Sequence, residues 1–526
     1  MFHYSNRCKP FLNKKLIFFW LIVIWLNSPH LFLMIHLNQI TFSLNPNYNL
    51  NLQTNQAPFK VADISQFQVS DLISVNRSFI DQDLSGENST IAIIDTGIYP
   101  YHEVFTNNGT QSWNEKIIAF YDAFTQIEKS PEDIDSHGTY VSSIAVGNSP
   151  QYLGVAPDAK LVSIKVFEYS EEEDELISSI QTIENGINWV LENKNKYNIK
   201  IVSMSFGVEA SSDSDSIILL NSITESLVEA GIVVVAAVGN DGGEGTGFQT
   251  INSPADAKSV IGVGGVKNNG MMYSKSSKGP SSENIIKPDL CAPAVGIYGA
   301  TKDHLGRNNT YMYASGTSAA APMVSGLASL MLEKDFSLTP LEVKSIISLT
   351  SLKTIYPRVI KDNYQGWGMV QGYAALDALD QYVSFENNNS VCFSLGDNSN
   401  QKKVWCRKIN LQGGMHYFFD LALLNDAEAE LYIFDTTPNY YGEPIITAST
   451  INQFDFYRRC GIFVPSNHDY FLVVKLIFGS GSGNFLLSII FDYRLLIIVA
   501  ISALMIIGII YLHRDLNKSV IEIKKI

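Results

Sequence analysis

Thr90-Ile-Ala-Ile-Ile-Asp95-Thr-Gly97 is a short apolar run that ends abruptly in an acid and a glycine. An extended chain points successive side chains to opposite faces, so a run apolar at every position needs cover on both faces. That is the requirement of a central parallel strand between two layers of helices, and it delivers Asp95 at the strand's carboxyl end, where open α/β sheets place their chemistry. Similar runs follow at Leu161–Phe167, Ile201–Phe206, Ile232–Ala237 and Ser259–Val263. Between them, Glu175–Tyr197 carries apolar residues at positions 176, 177, 180, 183, 187, 190 and 191, one face at helical spacing, and a second helix is expected from about Ser216 to Ala230. Strand and helix therefore alternate, which predicts an α/β fold with a doubly wound, mostly parallel sheet.

Two further segments carry reactive side chains. Asp135-Ser-His137-Gly-Thr-Tyr-Val places a histidine beside a glycine at the start of an apolar helix. Tyr313-Ala-Ser-Gly-Thr-Ser318-Ala-Ala-Ala-Pro322 places a serine in the first turn of another, where unpaired N–H groups and the positive dipole end collect. A hydroxyl there has its own backbone N–H as an oxyanion donor, and Gly316 leaves room for a carbonyl. A lone Asp, His or Ser is most often structural. Together the three form the set that nucleophilic acyl transfer needs: Ser318 attacks, His137 accepts and returns the proton, and Asp95 fixes the imidazole tautomer.

The three segments, in the order Asp, His, Ser, resemble the subtilisin-like serine proteases over about Ile64 to Leu379. The resemblance implies further roles. Val233-Val-Val-Ala-Ala-Val-Gly-Asn240-Asp-Gly242 is similar to the strand and turn that supply the oxyanion asparagine, here Asn240. Ser203-Met-Ser205-Phe206-Gly207 resembles the segment that pairs with substrate backbone and lines the primary pocket, with Asp241 at the pocket rim. Lys287-Pro-Asp-Leu-Cys-Ala-Pro293 resembles the loop before the nucleophile, which makes Cys291 a buried free thiol. The stretch from Gly239 to Gly265 also has a local similarity to membrane-bound site-1 proteases. No cofactor is expected: the calcium site some relatives hold is not indicated, because the loop from Gly147 to Gly154 has no carboxylate. The acidic run Glu171-Glu-Glu-Asp-Glu175, with Asp241, would attract basic peptides, although an acidic run before a helix is usually a solvated face that complements the dipole.

The remaining chain supplies context. Arg7, Lys9, Lys14 and Lys15 precede the unbroken apolar run Leu16–Leu26, and apolar character resumes at Leu31–Leu37, so residues 1–37 read as a signal peptide or signal anchor. The Asn- and Gln-rich residues 38–60 read as a linker, too short for the folded inhibitory propeptide usual in relatives. The peptidase domain is expected over 61–382. Residues 384–491, with alternating apolar residues and Gly/Asn/Asp turns, read as an antiparallel β-sandwich acting as a spacer or docking module. Residues 495–512 lack charge and read as a transmembrane helix, with 513–526 as a basic cytoplasmic tail, which puts the catalytic domain outside the cytoplasm. The net charge of −15 argues against nucleic acid as a partner and leaves peptides or proteins as substrates and the membrane as the anchor. None of the five cysteines is spaced as a metal pair. Cys392 and Cys406 stand seven residues either side of Ser399 in a turn-like stretch, so a regular hairpin would bring them together as a disulfide and leave Cys460 free. Two other functions fit the same residues: an acyl-transfer enzyme of transpeptidase type, or a surface-binding protein whose peptidase domain only processes itself.

Overall fold

The computed structural model describes residues 67–75, 83–106, 112–243, 247–302, 309–356, 360–380, 382–383, 390–396, 403–423, 428–450, 457–478, 483–492 and 504–509. Its centre is an eight-stranded sheet in the order Leu290–Pro293, Ile261–Val266, Val233–Ala237, Ile199–Met204, Thr90–Asp95, Lys160–Lys165, Ile117–Asp122 and Ile127–Glu128. All neighbours run parallel except the last pair. From the Asp95 strand the chain goes out to Ile117–Asp122 and Ile127–Glu128, returns to Lys160–Lys165 beside the Asp95 strand, and then crosses to Ile199–Met204 on the other side. The reversal falls between these two strands, where an α/β sheet opens a crevice at its carboxyl ends.

Residue alternation explains the two layers. Ile91, Ile93, Ile201, Val233 and Val235 face a core shared with the helices His137–Val146 and Thr317–Lys334. Ala92, Ile94, Val202, Val234 and Ala236 face the helices Ile180–Asn193 and Ser214–Glu229. Thr317–Lys334 is buried almost all round, from Ala319 to Leu332, which is why its amino half is built of Ala and Ser. One expected boundary is corrected. The helix expected from Glu175 begins at Ile180, because Ser179 caps it by accepting the Thr182 N–H at 3.1 Å. The acidic residues before it form the tip of a small hairpin whose strands are Glu168–Ser170 and Glu175–Ile177. They do not serve the helix dipole.

The carboxyl-terminal part is a sandwich of two four-stranded sheets with antiparallel pairing throughout. One orders Ser390–Leu395, Gly483–Asp492, Met415–Leu423 and Tyr457–Val464; the other orders Val404–Leu411, His468–Phe478, Glu428–Asp435 and Ile446–Ser449. The expected Cys392–Cys406 disulfide is not formed. Their strands lie in different sheets, so the seven-residue symmetry about Ser399 does not place them opposite each other; Cys392 registers with Leu486 and Cys406 with Val473. Cys406 is a buried free thiol, as are Cys291 and Cys460.

The sandwich is no detached spacer. In the second sheet, Leu431, Ile433, Leu472 and Val474 fill its own interior, while Tyr432, Phe434, Phe471 and Val473 on the opposite face join the core of the α/β domain. Polar groups lock the same interface. Asp289, fully buried, meets Lys287 at 2.7 Å, Lys361 at 3.2 Å and Lys344 at 3.3 Å, and the sandwich loop brings Glu443 to Lys361 at 2.7 Å. Burial opposes the Asp289 charge, but the three ammonium groups outweigh it and hold the carboxyl far below its usual range. Trp367 also donates its indole N–H to Glu443 at 2.8 Å.

The transmembrane expectation falls mostly outside the described residues. Of 495–512 only the helical residues 504–509 are described, and among the described residues no helix is long and apolar enough to cross a membrane. The expectations for 1–60 also lie outside them. Glu443→Ala leaves the Trp367 N–H without its acceptor and Lys361 with Asp289 alone, so it should lower the unfolding free energy by roughly 1.5–3 kcal/mol, the scale for hydrogen bonds to charged groups. Chemical denaturation with paired fluorescence and circular dichroism measures this; an unchanged midpoint would show that the clamp contributes nothing.

Candidate active site

The Asp95 strand ends against the loop that carries His137. Gly97 has φ +116°, and a Cβ there would lie 2.1 Å from the Glu132 carbonyl oxygen; a Cβ on Gly138 would lie 2.0 Å from the Gly97 carbonyl oxygen. Only two glycines let these segments approach so closely. The approach brings His137 Nδ1 to 2.8 Å from Asp95 Oδ1, which also accepts the Thr96 N–H at 2.8 Å. With Nδ1–H donated to the carboxylate, the neutral ring carries its free lone pair on Nε2, the arrangement of a general base.

Asp133 holds that loop, and sequence reasoning passed it over. It is 2% exposed; its Oδ1 accepts from Thr96 Oγ1 at 2.8 Å and from the Ser136 N–H at 3.0 Å, and its Oδ2 accepts the Thr139 N–H at 2.8 Å. Ser136 is thereby kept at φ +116°, an unfavourable conformation for a residue with a Cβ, directly before His137. The available signal is an acid four residues before the histidine in Asp133-Ile-Asp135-Ser-His137. Asp135, which stands out more in the sequence, is exposed and only accepts the His137 N–H at 3.2 Å.

The Ser318 side is fixed from three directions. Gly316 donates its N–H to the Ala294 carbonyl at 2.8 Å, Thr317 donates its N–H to Asn240 Oδ1 at 3.0 Å, and Thr317 Oγ1 bonds the Gly239 carbonyl at 3.2 Å. Ser318 follows, at the second position of the helix. Pro322 lies within that helix and has no N–H for the Ser318 carbonyl four residues back. Ser205 supplies the missing donor, Oγ to Ser318 O at 3.0 Å, and Ser318 Oγ donates in return to the Ser205 carbonyl at 2.9 Å. The structure thus unites Asp95 with His137 directly, and Ser318 with Ser205 and Asn240. The Ser318 hydroxyl rests on Ser205, and a turn about its Cα–Cβ bond is needed to direct it elsewhere.

Asn240 is exposed. Because Oδ1 accepts from Thr317, Nδ2 must be the outward donor, and it lies 3.5 Å from where a Gly316 Cβ would stand. Phe206 is partly buried and meets Phe167 edge to face, centroids 5.4 Å apart. Gly207 is exposed but has no room for a Cβ, which would fall 2.8 Å from Asn252 Cβ and from the Ser253 carbonyl oxygen. Asp241, placed at a pocket rim by the sequence, turns its carboxylate inward: Oδ2 accepts Asn252 Nδ2 at 2.9 Å, and its N–H goes to Ser277 Oγ at 3.1 Å. It braces the Asn240 turn. Among the described residues no group of three or more His, Cys, Asp or Glu is placed to hold a metal. A cavity of about 720 Å³ lies far from these groups, at the amino ends of the strands around Glu87, Lys116 and Asp158. In its wall Ser89 Oγ pairs with Ser329 Oγ and Lys116 Nζ donates to the Pro157 carbonyl, so the hydroxyl and the amine are each engaged elsewhere.

With this geometry in place, comparison with known proteins settles the class. The model of the subtilase family matches residues 86–368, more than half of the chain, and the chain belongs to that family. It is 33% identical over 290 residues to serine protease AprX of Bacillus subtilis, covering 51% of this chain and 62% of that protein, so the chain spans less than two thirds of that relative's length. It is 33% identical over 272 residues to subtilisin DY of Bacillus licheniformis, covering 51% of this chain and 86% of that one. A cold adapted subtilisin-like serine proteinase of known structure is 25% identical, covers 54% of this chain and 89% of its own, and gives a TM-score of 0.42.

Two predictions follow from the site's electrostatics. Burial disfavours the His137 imidazolium, but Asp95 against Nδ1, with Asp133 and Asp135 nearby, outweighs burial and raises the pKa from 6.5 to about 9. A raised histidine pKa means that the imidazolium stabilises the fold fully below pH 6.5 and that this contribution is lost as pH rises to about 9. Hydrolysis needs the neutral ring. Across that window kcat/KM should therefore rise while Tm falls, and Asp95→Asn should move the acidic limb downward; a limb that stays put in that variant would separate Asp95 from the titration. Asn240→Ala should lower kcat by roughly 10²–10³, the scale for one oxyanion donor, with little change in KM. A loss confined to KM would assign Asn240 to substrate binding instead.

Proposed function

We propose that this chain is a membrane-anchored serine endopeptidase acting outside the cytoplasm on peptides or proteins. The observation that carries the reading is the His137 Nδ1 to Asp95 Oδ1 bond of 2.8 Å, set at the same sheet crevice as Ser318 on its helix start. Ser318 Oγ leaves the Ser205 carbonyl, attacks the scissile carbonyl carbon and passes its proton to His137 Nε2. Asn240 Nδ2 and the Ser318 N–H receive the charge that develops on the carbonyl oxygen. The imidazolium, stabilised by Asp95, returns the proton to the leaving amine. Water then repeats the sequence on the acyl-enzyme and frees Ser318. Membership of the subtilase family supports this order of events. Anchoring and outside placement rest on the uncharged residues 495–512 and the basic residues that follow them. The likeness to site-1 proteases stays a sequence resemblance that the matches above do not address.

Ser318→Ala should abolish covalent labelling by a fluorophosphonate probe and remove cleavage of casein and of peptide libraries. Labelling that survives the substitution would overturn the assignment. Product analysis with an added amine decides between hydrolysis and acyl transfer: amide products in place of free acids would favour the transferase. Cleavage of its own chain alone, with no other substrate cut, would favour a self-processing surface protein.

A further inference from the structure

A cavity of about 350 Å³ opens directly behind the oxyanion turn, with Gly242, Gly243, Met272, Tyr273, Tyr356 and Tyr364 in its wall. Its apolar lining is aromatic and partly in water: Tyr356 is 63% exposed and Tyr364 37%. Phe248, 50% exposed, meets Tyr364 edge to face with centroids 5.2 Å apart and extends the same patch. Exposed aromatic rings grouped round a cavity mark a place that a ligand covers more often than a random patch of surface.

The wall is built to hold its shape. Gln365 is fully buried, and its Oε1 accepts the N–H groups of Ile355 at 3.0 Å and Thr354 at 3.2 Å. Its Nε2 donates to Thr354 Oγ1 at 2.6 Å and to the Gly270 carbonyl at 3.1 Å. One buried amide thus ties both sides of the cavity together. The turn it secures presents Tyr356 at φ +53°, a left-handed conformation that bulky residues rarely adopt. Such outliers concentrate where a side chain must be aimed.

The sheet order places the cavity on one flank of the Asn240 turn and Ser205–Gly207 on the other. Asn240 extends the strand Val233–Ala237, which lies between Ile199–Met204 on one side and Ile261–Val266 on the other. Ser205–Gly207 continues the first neighbour. The cavity wall at Met272–Tyr273 follows the second, held by the Tyr273 N–H to Gly265 carbonyl bond at 3.0 Å. The oxyanion turn is braced from both flanks, through Asn252 toward Gly207 and through the Gly242 N–H to Lys275 carbonyl bond at 2.9 Å toward the cavity. If the acyl half of the substrate lies along Ser205–Gly207, the cavity is across the oxyanion donor from it, where the chain beyond the cut must leave.

From this we infer that the cavity is a leaving-side subsite for a large apolar or aromatic side chain, one to four residues beyond the scissile bond. The inference rests on the peptidase reading above. Aromatic burial of this kind is worth roughly tenfold in selectivity. Two sets of substrates sharing one acyl part test it: an anilide with no residue beyond the cut, and peptides carrying Phe or Ala at each of the four leaving-side positions. The wild-type protein should cleave a Phe peptide roughly tenfold faster in kcat/KM than its Ala counterpart at one of these positions. Tyr356→Ala, a surface change that should not disturb folding, should bring that ratio near one, while Tyr356→Phe should keep it. A ratio near one in the wild type, or one unchanged in Tyr356→Ala, overturns the subsite. Absence of anilide and peptide cleavage in the wild type overturns the peptidase reading and the subsite with it.

Discussion

Pro322 leaves the Ser318 carbonyl without a helical partner, and the crevice is assembled round that gap. An unpaired carbonyl in a buried helix start is costly, so some other donor has to reach it. Ser205 does, from the strand next to the one that carries Asp95, and its own carbonyl takes the Ser318 hydroxyl in exchange. The exchange ties the helix start to the centre of the sheet at the point where strand order reverses. A regular alanine-rich helix with its ladder complete would pack there equally well, but it would have no polar reason to stop at that depth.

This accounts for what could be read in advance. Asp95, His137, Ser318 and Asn240 stand in segments whose local chemistry is self-contained: an apolar strand with an acid at its end, a histidine beside glycine, a serine in a small-residue helix start. Such segments keep their meaning wherever the fold puts them. Asp133 could not be found that way, since its role is to collect N–H and hydroxyl donors from Thr96, Ser136 and Thr139, which only the folded loop brings round it. Asp241 shows the other direction: its place after Asn240 says nothing of Asn252, which the fold brings to its carboxylate.

The sandwich shows the same limit on a larger scale. Leu431-Tyr-Ile-Phe434 and Leu472-Val-Val474 are apolar at every position and so call for cover on both faces, but the pattern cannot say that the cover on one face is another domain. The hairpin geometry drawn about Ser399 failed for a related reason. Symmetric spacing constrains two residues only if their strands share a ladder, and strands on either side of a turn can enter different sheets of a sandwich. Cys406 then faces the peptidase body with Val404, while Trp405 between them faces the sandwich interior.

That packing gives the sandwich a part in the active region without placing any reactive group there. Glu443 balances lysines gathered on Asp289, and Asp289 stands one residue before the strand Leu290–Pro293. Asp289 Oδ2 also accepts the Gly262 N–H at 2.8 Å, which fixes that strand to its neighbour. Immediately after it, the Ala294 carbonyl receives the Gly316 N–H two residues before Ser318. Three ammonium groups on Asp289 alone would leave an excess of two positive charges in the core; Glu443 cuts it to one, and burial further lowers the Lys287 pKa to about 8, which weakens that charge. The peptidase sequence alone leaves that balance incomplete, and the sandwich loop supplies the acid. The two halves of the chain therefore share one electrostatic core as well as one apolar core, and the loop that leads to Ser318 is built on the shared part.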